Sequence, residues 1–174
     1  MQMMKKIMRG MLILVALSMM ITPCFAGHMG PMRGSLDRSQ IALGGIAIGT
    51  TQSAVRNIYG SPTSIVRTSP ACPVYKYGSS FRICFIPGSE LGMSEMGAYI
   101  ISTTANNGIA TPDGITVGMT PKTLNDVYGA ADRIENNRDG SKEYQYWDKD
   151  NDCTALYFLV RDGVIRSITC YYYV

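Results

Sequence analysis

The side chains that could carry chemistry in this sequence are its cysteines, one histidine and several carboxylates. Catalytic triads of the Ser-His-Asp or Cys-His type need a positioned imidazole, but the only histidine, His28, stands in a glycine-rich stretch near the start. Zinc sites with mixed Cys and His ligands are disfavoured for the same reason. The run 148–152 has the first acidic positions of a calcium loop, but Cys153 and Leu159 stand where that loop needs glycine and glutamate. We therefore predict no catalytic residue, metal or cofactor, with a carboxylate-pair hydrolase as the remote alternative.

Four cysteines lie downstream of residue 26, and an even number in an exported chain indicates disulfide bonds. Four cysteines allow three pairings. We predict Cys72–Cys84 and Cys153–Cys170, one within each half of the chain, because each would close a short loop. On the loop-entropy estimate each bond contributes ~3 kcal/mol.

Aromatic residues on predicted strands form the second set suited to a function. Tyrosine and tryptophan dominate binding hot spots, and a strand presents alternate residues on one face. These side chains either fill the core or form an exposed platform, and the sequence leaves both arrangements open. The candidates for protein binding are Tyr75, Tyr77, Tyr144, Tyr146, Trp147, Tyr171 and Tyr173, joined by Glu90 and Glu95 from the segment 87–97.

The first 26 residues have the pattern of a secretory signal peptide. Three basic residues among the first nine precede an apolar run from 11 to 21, and Ala26 offers a small residue at the cleavage site. The apolar run is shorter than the ~20 residues of a membrane span. We predict a periplasmic or secreted protein; the alternative is a lipid anchor at Cys24.

Removal of that segment would leave no net charge. It holds three of the sixteen Lys and Arg residues, so thirteen remain opposite thirteen Asp and Glu. The balance gives no reason to expect a nucleic-acid partner. Residues 27–40 follow, rich in glycine and poor in residues that could be buried, and we predict a disordered leader there.

The helical motif that must help to position these side chains occurs twice in the chain. Residues 45–60 and 114–129 share six of sixteen identical positions at a constant offset of 69. Each copy predicts a short helix, with a threonine cap at Thr51 or Thr120 and a glycine stop at Gly60 or Gly129. Pro121 suits the first turn of the second helix.

Runs of β-branched and aromatic residues follow each helix and predict four strands in each half. We predict an α+β fold of two tandem repeats, each a short helical segment followed by a four-stranded antiparallel meander. The boundaries are repeat 1 at 41–104, a linker at 105–113 and repeat 2 at 114–174. The predicted strands are 63–68, 74–77, 81–86, 98–103, 132–136, 143–147, 154–160 and 164–173.

These motifs carry a family resemblance. The order Gly-x-x-x-Gly-Met-Thr, a short helix ending in Tyr-Gly, and then Tyr-x-Tyr resembles the SmpA/OmlA-type repeat of small outer-membrane assembly lipoproteins. Two such units in tandem, each with its own disulfide, resemble the secreted β-lactamase inhibitor proteins. The resemblance covers 41–174 and implies one curved sheet with the helices on one face and partner-binding aromatics on the other.

We therefore expect a secreted or periplasmic, non-catalytic protein-binding module of the inhibitor-like type. The resemblance implies that it would bind an unidentified partner protein through the open sheet face, and the inserted loop 87–97 is the second expected contact. The alternative is a cell-envelope assembly or structural factor.

Overall fold

A computed structural model describes residues 34–69, 72–150 and 153–174 of the 174-residue chain. The predicted signal peptide, its alternative lipid anchor Cys24 and the lone His28 lie outside these ranges. The fold is α+β, with two helices and an antiparallel sheet. Its elements are β1 (Ala42–Leu43), β2 (Ile46–Ala47), α1 (Gln52–Tyr59), β3 (Ser64–Ser69), β4 (Cys72–Tyr77), β5 (Phe81–Ile86), β6 (Gly97–Thr103), α2 (Pro121–Tyr128), β7 (Arg133–Asn136), β8 (Lys142–Trp147), β9 (Thr154–Arg161) and β10 (Val164–Tyr172).

Both helices begin at the predicted threonine caps. The side chains of Thr51 and Thr120 each accept a hydrogen bond from the backbone N–H three residues further on, at 3.3 and 3.4 Å. Pro121 occupies the first turn of α2, where its missing N–H costs nothing. A helix of eight residues is not stable alone, so each depends on docking against the sheet.

Both helices end at the predicted glycines, which do not adopt the left-handed helical conformation common after a helix. Gly60 has φ 74° and ψ −157°, and Gly129 has φ 76° and ψ −160°. Positive φ combined with extended ψ is a region that essentially only glycine enters. The chain therefore leaves each helix at the same angle and starts the next strand.

The eight longer strands form one sheet in the order β3-β4-β5-β6-β10-β9-β8-β7. Each half of the chain builds four consecutive antiparallel strands, and the halves join where β6 pairs with β10. The junction runs from the pair Ile168 and Thr103 to the pair Tyr171 and Ile100. The strand bounds agree with the sequence prediction to within two residues.

The two helices pack on the same face of this sheet. Tyr59 of α1 contacts Phe81, and Tyr128 of α2 contacts Phe158, with ring centroids 5.2 and 5.9 Å apart. Phe81 and Phe158 belong to one cross-strand row that runs through β6 and β10, so their side chains share a face. The main core lies between this helix face and the helices.

The predicted disordered leader is wrong for the part that the structure describes. Leu36 is 2% exposed and belongs to the core. Its backbone N–H donates to the Trp147 carbonyl at 3.0 Å, and its carbonyl accepts from the Lys149 N–H at 2.9 Å. A 3-10 turn, Arg38–Gln40, follows. One apolar residue among polar ones gives no periodic signal, and its partner strand is distant in sequence.

No helix in the described ranges is both long enough and apolar enough to cross a membrane.

Candidate functional site

The sheet has a helix face and an open face, and these divide the predicted binding residues. Tyr75, Tyr77, Tyr144 and Tyr146 point to the helix face. The Tyr75 side chain is 1% exposed, and its hydroxyl donates to the Gln52 side chain at 2.8 Å. The hydroxyls of Tyr77 and Tyr146 each donate to a glycine carbonyl at the end of a helix, at 3.2 Å. Tyr144 packs against the core. These four tyrosines therefore support the fold.

Burial shows in the acidity of these phenols. Desolvation raises the pKa of Tyr146 to about 12, with smaller contributions from the neighbouring Tyr144 and Asp132. Desolvation also raises the pKa of Tyr77 above its ordinary value. A neutral phenol held away from water is the state expected of a structural tyrosine.

The open face carries the remaining predicted aromatics together with one that the sequence analysis missed. We call Trp147, Tyr157, Tyr171 and Tyr173 the aromatic cluster. The rings of Trp147 and Tyr173 are stacked, with centroids 5.4 Å apart and an interplanar angle of 18°. Tyr171 lies 4.5 Å from Tyr173, and Tyr157 meets the Trp147 ring edge-on at 6.0 Å. Such arrangements suit the ring quadrupoles and hold the four side chains as one rigid surface.

Hydrogen bonding fixes the middle of the aromatic cluster. The hydroxyls of Tyr157 and Tyr173 lie 2.7 Å apart. Tyr157 is 8% exposed whereas Tyr173 is 45% exposed, so Tyr157 anchors the cluster and Tyr173 presents its ring to solvent. Burial raises the pKa of Tyr157, and the hydrogen bond to Tyr173 and the charge of Glu143 raise it further. The indole N–H of Trp147 is buried with no partner among the described residues, which is uncommon in a native structure.

A shallow groove of about 350 Å³ adjoins the aromatic cluster on the open face. Its floor mixes small hydroxyl side chains with Leu159, and one carboxylate, Glu143, lies at its edge. The Gln145 amide donates to the Glu143 carboxylate at 2.9 Å and so orients it. The groove is lined by Glu143, Tyr157, Leu159, Ser167, Thr169, Tyr171 and Tyr173.

No local pattern in the sequence singles out Tyr157. The first five residues of β9 are all buried. Both faces of the strand are therefore apolar core at these positions, and the usual alternation of apolar and polar residues is absent. The signal that would have found Tyr157 is its cross-strand position: it lies opposite Gln145 on one side and Thr169 on the other. That information requires the strand register.

The loop 87–97 lies beside α1. It contains a 3-10 turn, Gly88–Leu91, and the Gln52 amide of α1 donates to the Met96 sulfur at 3.3 Å. Glu90 and Glu95 are exposed. None of the contacts described for this loop brings either carboxylate to the aromatic cluster.

The strand register is compatible with one of the two predicted disulfides and not with the other. Cys72 and Cys84 lie on neighbouring strands and on the same face, because Val74, two residues after Cys72, is the direct partner of Cys84. The Cys72 sulfur is also close enough to help raise the pKa of the Cys84 thiol, after the larger effect of burial. This arrangement is compatible with the predicted Cys72–Cys84 bond, although no disulfide joins the cysteines in the described ranges.

The predicted Cys153–Cys170 pairing does not fit the register. Cys170 is fully buried on the helix face opposite Leu156, whereas Cys153 lies opposite Tyr173, three residues along the strand. Three residues of strand span ~10 Å, and disulfides need Cα atoms within ~7 Å. The side chains also leave opposite faces. The register therefore argues against this pairing, which sequence proximity suggested without revealing strand parity.

No group of three or more His, Cys, Asp or Glu side chains within the described residues is placed to hold a metal ion.

Comparison with known proteins gives little further information. No known family and no curated protein matches the chain. Among solved structures, the chain is similar to an extracellular protein containing an SCP domain from Bacillus anthracis str. Ames, at a TM-score of 0.43 and 9% identity. That alignment covers 71% of this chain, which spans 43% of the other protein. At this level of similarity it assigns neither family nor function.

Proposed function

We propose that this chain is an exported, non-catalytic protein-binding module that binds its partner through the aromatic cluster and the adjoining groove. A further part of the proposal is that residues 41–104 and 114–174 are tandem repeats. The tandem resemblance to the β-lactamase inhibitor proteins, and to SmpA/OmlA-type repeats, belongs to the same proposal.

Matching hydrogen bonds support the tandem repeat. The bond from Tyr77 to the Gly60 carbonyl recurs, 69 residues later, from Tyr146 to the Gly129 carbonyl, both at 3.2 Å. The segment that precedes each helix is also hydrogen-bonded to the sheet in the same way. Gly49 donates to the β6 carbonyl of Ala98 at 2.8 Å, and Gly118 donates to the β10 carbonyl of Ile165 at 2.9 Å. These contacts are what a duplicated folding unit would keep.

The observation that carries the functional proposal is that the aromatic cluster is present in one repeat only. The structural tyrosines have counterparts in both halves, as expected of groups that the fold needs. Trp147, Tyr157, Tyr171 and Tyr173 do not; by offset and register their counterparts are Gly78, Arg82, Thr104 and Asn106. One repeat folds without these rings, so the unit does not require them.

Their chemistry is that of a binding hot spot. Tyrosine and tryptophan supply a large contact area at a low entropic cost, and here their mutual stacking has already fixed the rotamers. The groove is shallow, and among the described residues of the open face no acid and base are in contact, which favours binding over catalysis. A rigid, half-exposed aromatic surface beside a groove suits a protein surface.

A capture experiment with matched tyrosine variants tests the proposal. The native chain would be immobilised and exposed to extracellular and envelope fractions, beside Tyr171→Ala and a control, Tyr172→Ala. Tyr172 is the next residue of β10 but points to the opposite face. The native and control chains should retain the same partner, whereas Tyr171→Ala should lose it. Hydrogen exchange of the complex should show protection in 154–173.

Equal capture by the two variants, or protection confined to the helices, would refute binding through the open face. Glu90→Gln with Glu95→Gln tests separately whether the loop 87–97 contributes. Tyr171→Ala and Tyr172→Ala must each first show the circular dichroism spectrum of the native chain.

A further inference from the structure

Two carboxylates on the open face lie directly opposite each other. Glu135 of β7 and Glu143 of β8 are cross-strand partners, and Leu159 of β9 flanks Glu143 on its other side. Like charges directly opposite in a sheet are destabilising. Both carboxylates are near enough to Tyr157 to raise the pKa of its hydroxyl. The groove edge therefore carries an excess of negative charge.

Among the described residues, the cations near Glu143 each pair with another carboxylate or lie on the opposite face. Arg133, on the same face, forms an ion pair with Glu135 at 2.6 Å. Arg161 and Arg166 pair at 3.2 Å with Asp139 and Asp162 respectively, around the neighbouring turns. Lys142 leaves β8 on the helix face, opposite to Glu143.

Glu143 is left with a neutral partner. Within the described residues, its carboxylate accepts a hydrogen bond from the Gln145 amide at 2.9 Å, which fixes one oxygen without neutralising the charge. Gln145 is itself 5% exposed, so this support is rigid. The other oxygen remains available to the groove.

The walls of the groove add a second preference for a cation. Tyr171 and Tyr173 are partly exposed aromatic rings that line the same groove as this carboxylate, and Leu159, the cross-strand partner of Glu143, adds apolar surface directly beside it. A long basic side chain matches each part: its methylenes cover apolar surface, its charge lies near the rings, and its head pairs with the carboxylate.

Resting on the proposed function, we infer that the groove takes an arginine or lysine side chain from a basic segment of the partner protein. Glu143 pairs with the cation, and the stem lies along the groove over Leu159, towards the aromatic rings. The charge offered by the partner also relieves the opposition of Glu135 and Glu143. A partner surface without an exposed basic residue would not be recognised at this groove.

The test uses short capped peptides and the fluorescence of Trp147, the only tryptophan of the chain. Ac-Gly-Arg-Gly-amide would be compared with the same peptide carrying citrulline, which keeps the shape of arginine but has no charge. The arginine peptide should bind about five-fold more tightly than the citrulline peptide at low ionic strength. The difference should shrink at about 0.15 M salt.

Glu143→Gln should reduce that preference to less than about two-fold, while Asp126→Asn, which changes an exposed carboxylate on α2, should leave it unchanged. Glu143→Gln should also raise the melting temperature of the free protein by about 1–3 °C, because it removes the opposed charges. A fall in melting temperature would contradict the strained carboxylate pair.

Equal binding of the two peptides, or no response to either, would overturn the inference. Tighter binding of a soluble oligosaccharide than of the arginine peptide would overturn it as well. These failures are distinct from failure of the proposed function, which depends on whether Tyr171→Ala loses the captured partner. If Tyr171→Ala lost the captured partner while Glu143→Gln retained it, the proposal of a protein-binding module would stand. The inference that the groove takes a basic side chain would then be wrong.

Discussion

Replacement of Leu36 by alanine should be strongly destabilising, although the sequence alone places this residue in a disordered leader. Its side chain is 2% exposed within the core, and its backbone pairs with the end of β8 on both sides. Truncating a buried leucine costs ~2–5 kcal/mol through lost transfer free energy and the remaining cavity. For a domain of about 140 residues, a loss of about 3 kcal/mol lowers the melting temperature by ~10 °C.

Urea unfolding followed by Trp147 fluorescence is the appropriate assay, because the Leu36 N–H donates to the Trp147 carbonyl. Ile58→Ala serves as the control, since Ile58 is 56% exposed on α1 and its truncation should change stability by less than about 0.5 kcal/mol. If Leu36→Ala were as mild as the control, residues 34–40 would not be part of the folded domain. The reasoning from burial would then be refuted.

Three further predictions follow from the helix face and the cysteines. Tyr77→Phe and Tyr146→Phe each remove one hydrogen bond to a helix-ending glycine, so each should lower the free energy of unfolding by about 1 kcal/mol. If denaturant unfolding showed a threefold difference between the two losses of free energy, the repeats would not be equivalent. The folded-state pKa of Tyr146 is raised to about 12, so its contribution to stability is complete below the ordinary tyrosine pKa of ~10 and is lost as the pH rises through 12; melting temperatures that stay flat across this window would contradict the burial. Peptide mapping without reduction should recover a Cys72–Cys84 link after oxidation, and finding Cys153 joined to Cys170 would mean that the β9–β10 register is wrong.

The helices and strands were predictable because their signals are local. A threonine hydroxyl caps the helix that begins beside it, and a glycine permits a conformation closed to other residues at Gly60 and Gly129. The Tyr-x-Tyr pattern of β4 and β8 likewise marked strands correctly. Each of these signals depends on a few neighbouring residues, so the sequence states it directly.

The candidate site was predictable only in part. Trp147, Tyr171 and Tyr173 were among the candidates and lie together on the open face, but Tyr146 is adjacent to Trp147 and resembles it in size and chemistry. Nothing in the local sequence distinguishes the residue that props a helix from the residue that faces solvent. Tyr157 was missed because β9 is apolar on both faces.

The sequence by itself determined the two helices and, to within two residues, the bounds of the eight longer strands, and it contained the 69-residue periodicity of the helical motif. Only the tertiary structure decided which sheet face the helices cover, because that depends on packing between residues far apart in the chain. The same is true of Leu36, whose partner Trp147 is remote in sequence, and of Glu135 opposite Glu143, whose pairing follows from strand register. Caps and turns are encoded by neighbours, whereas a binding face is defined by what the rest of the fold leaves uncovered.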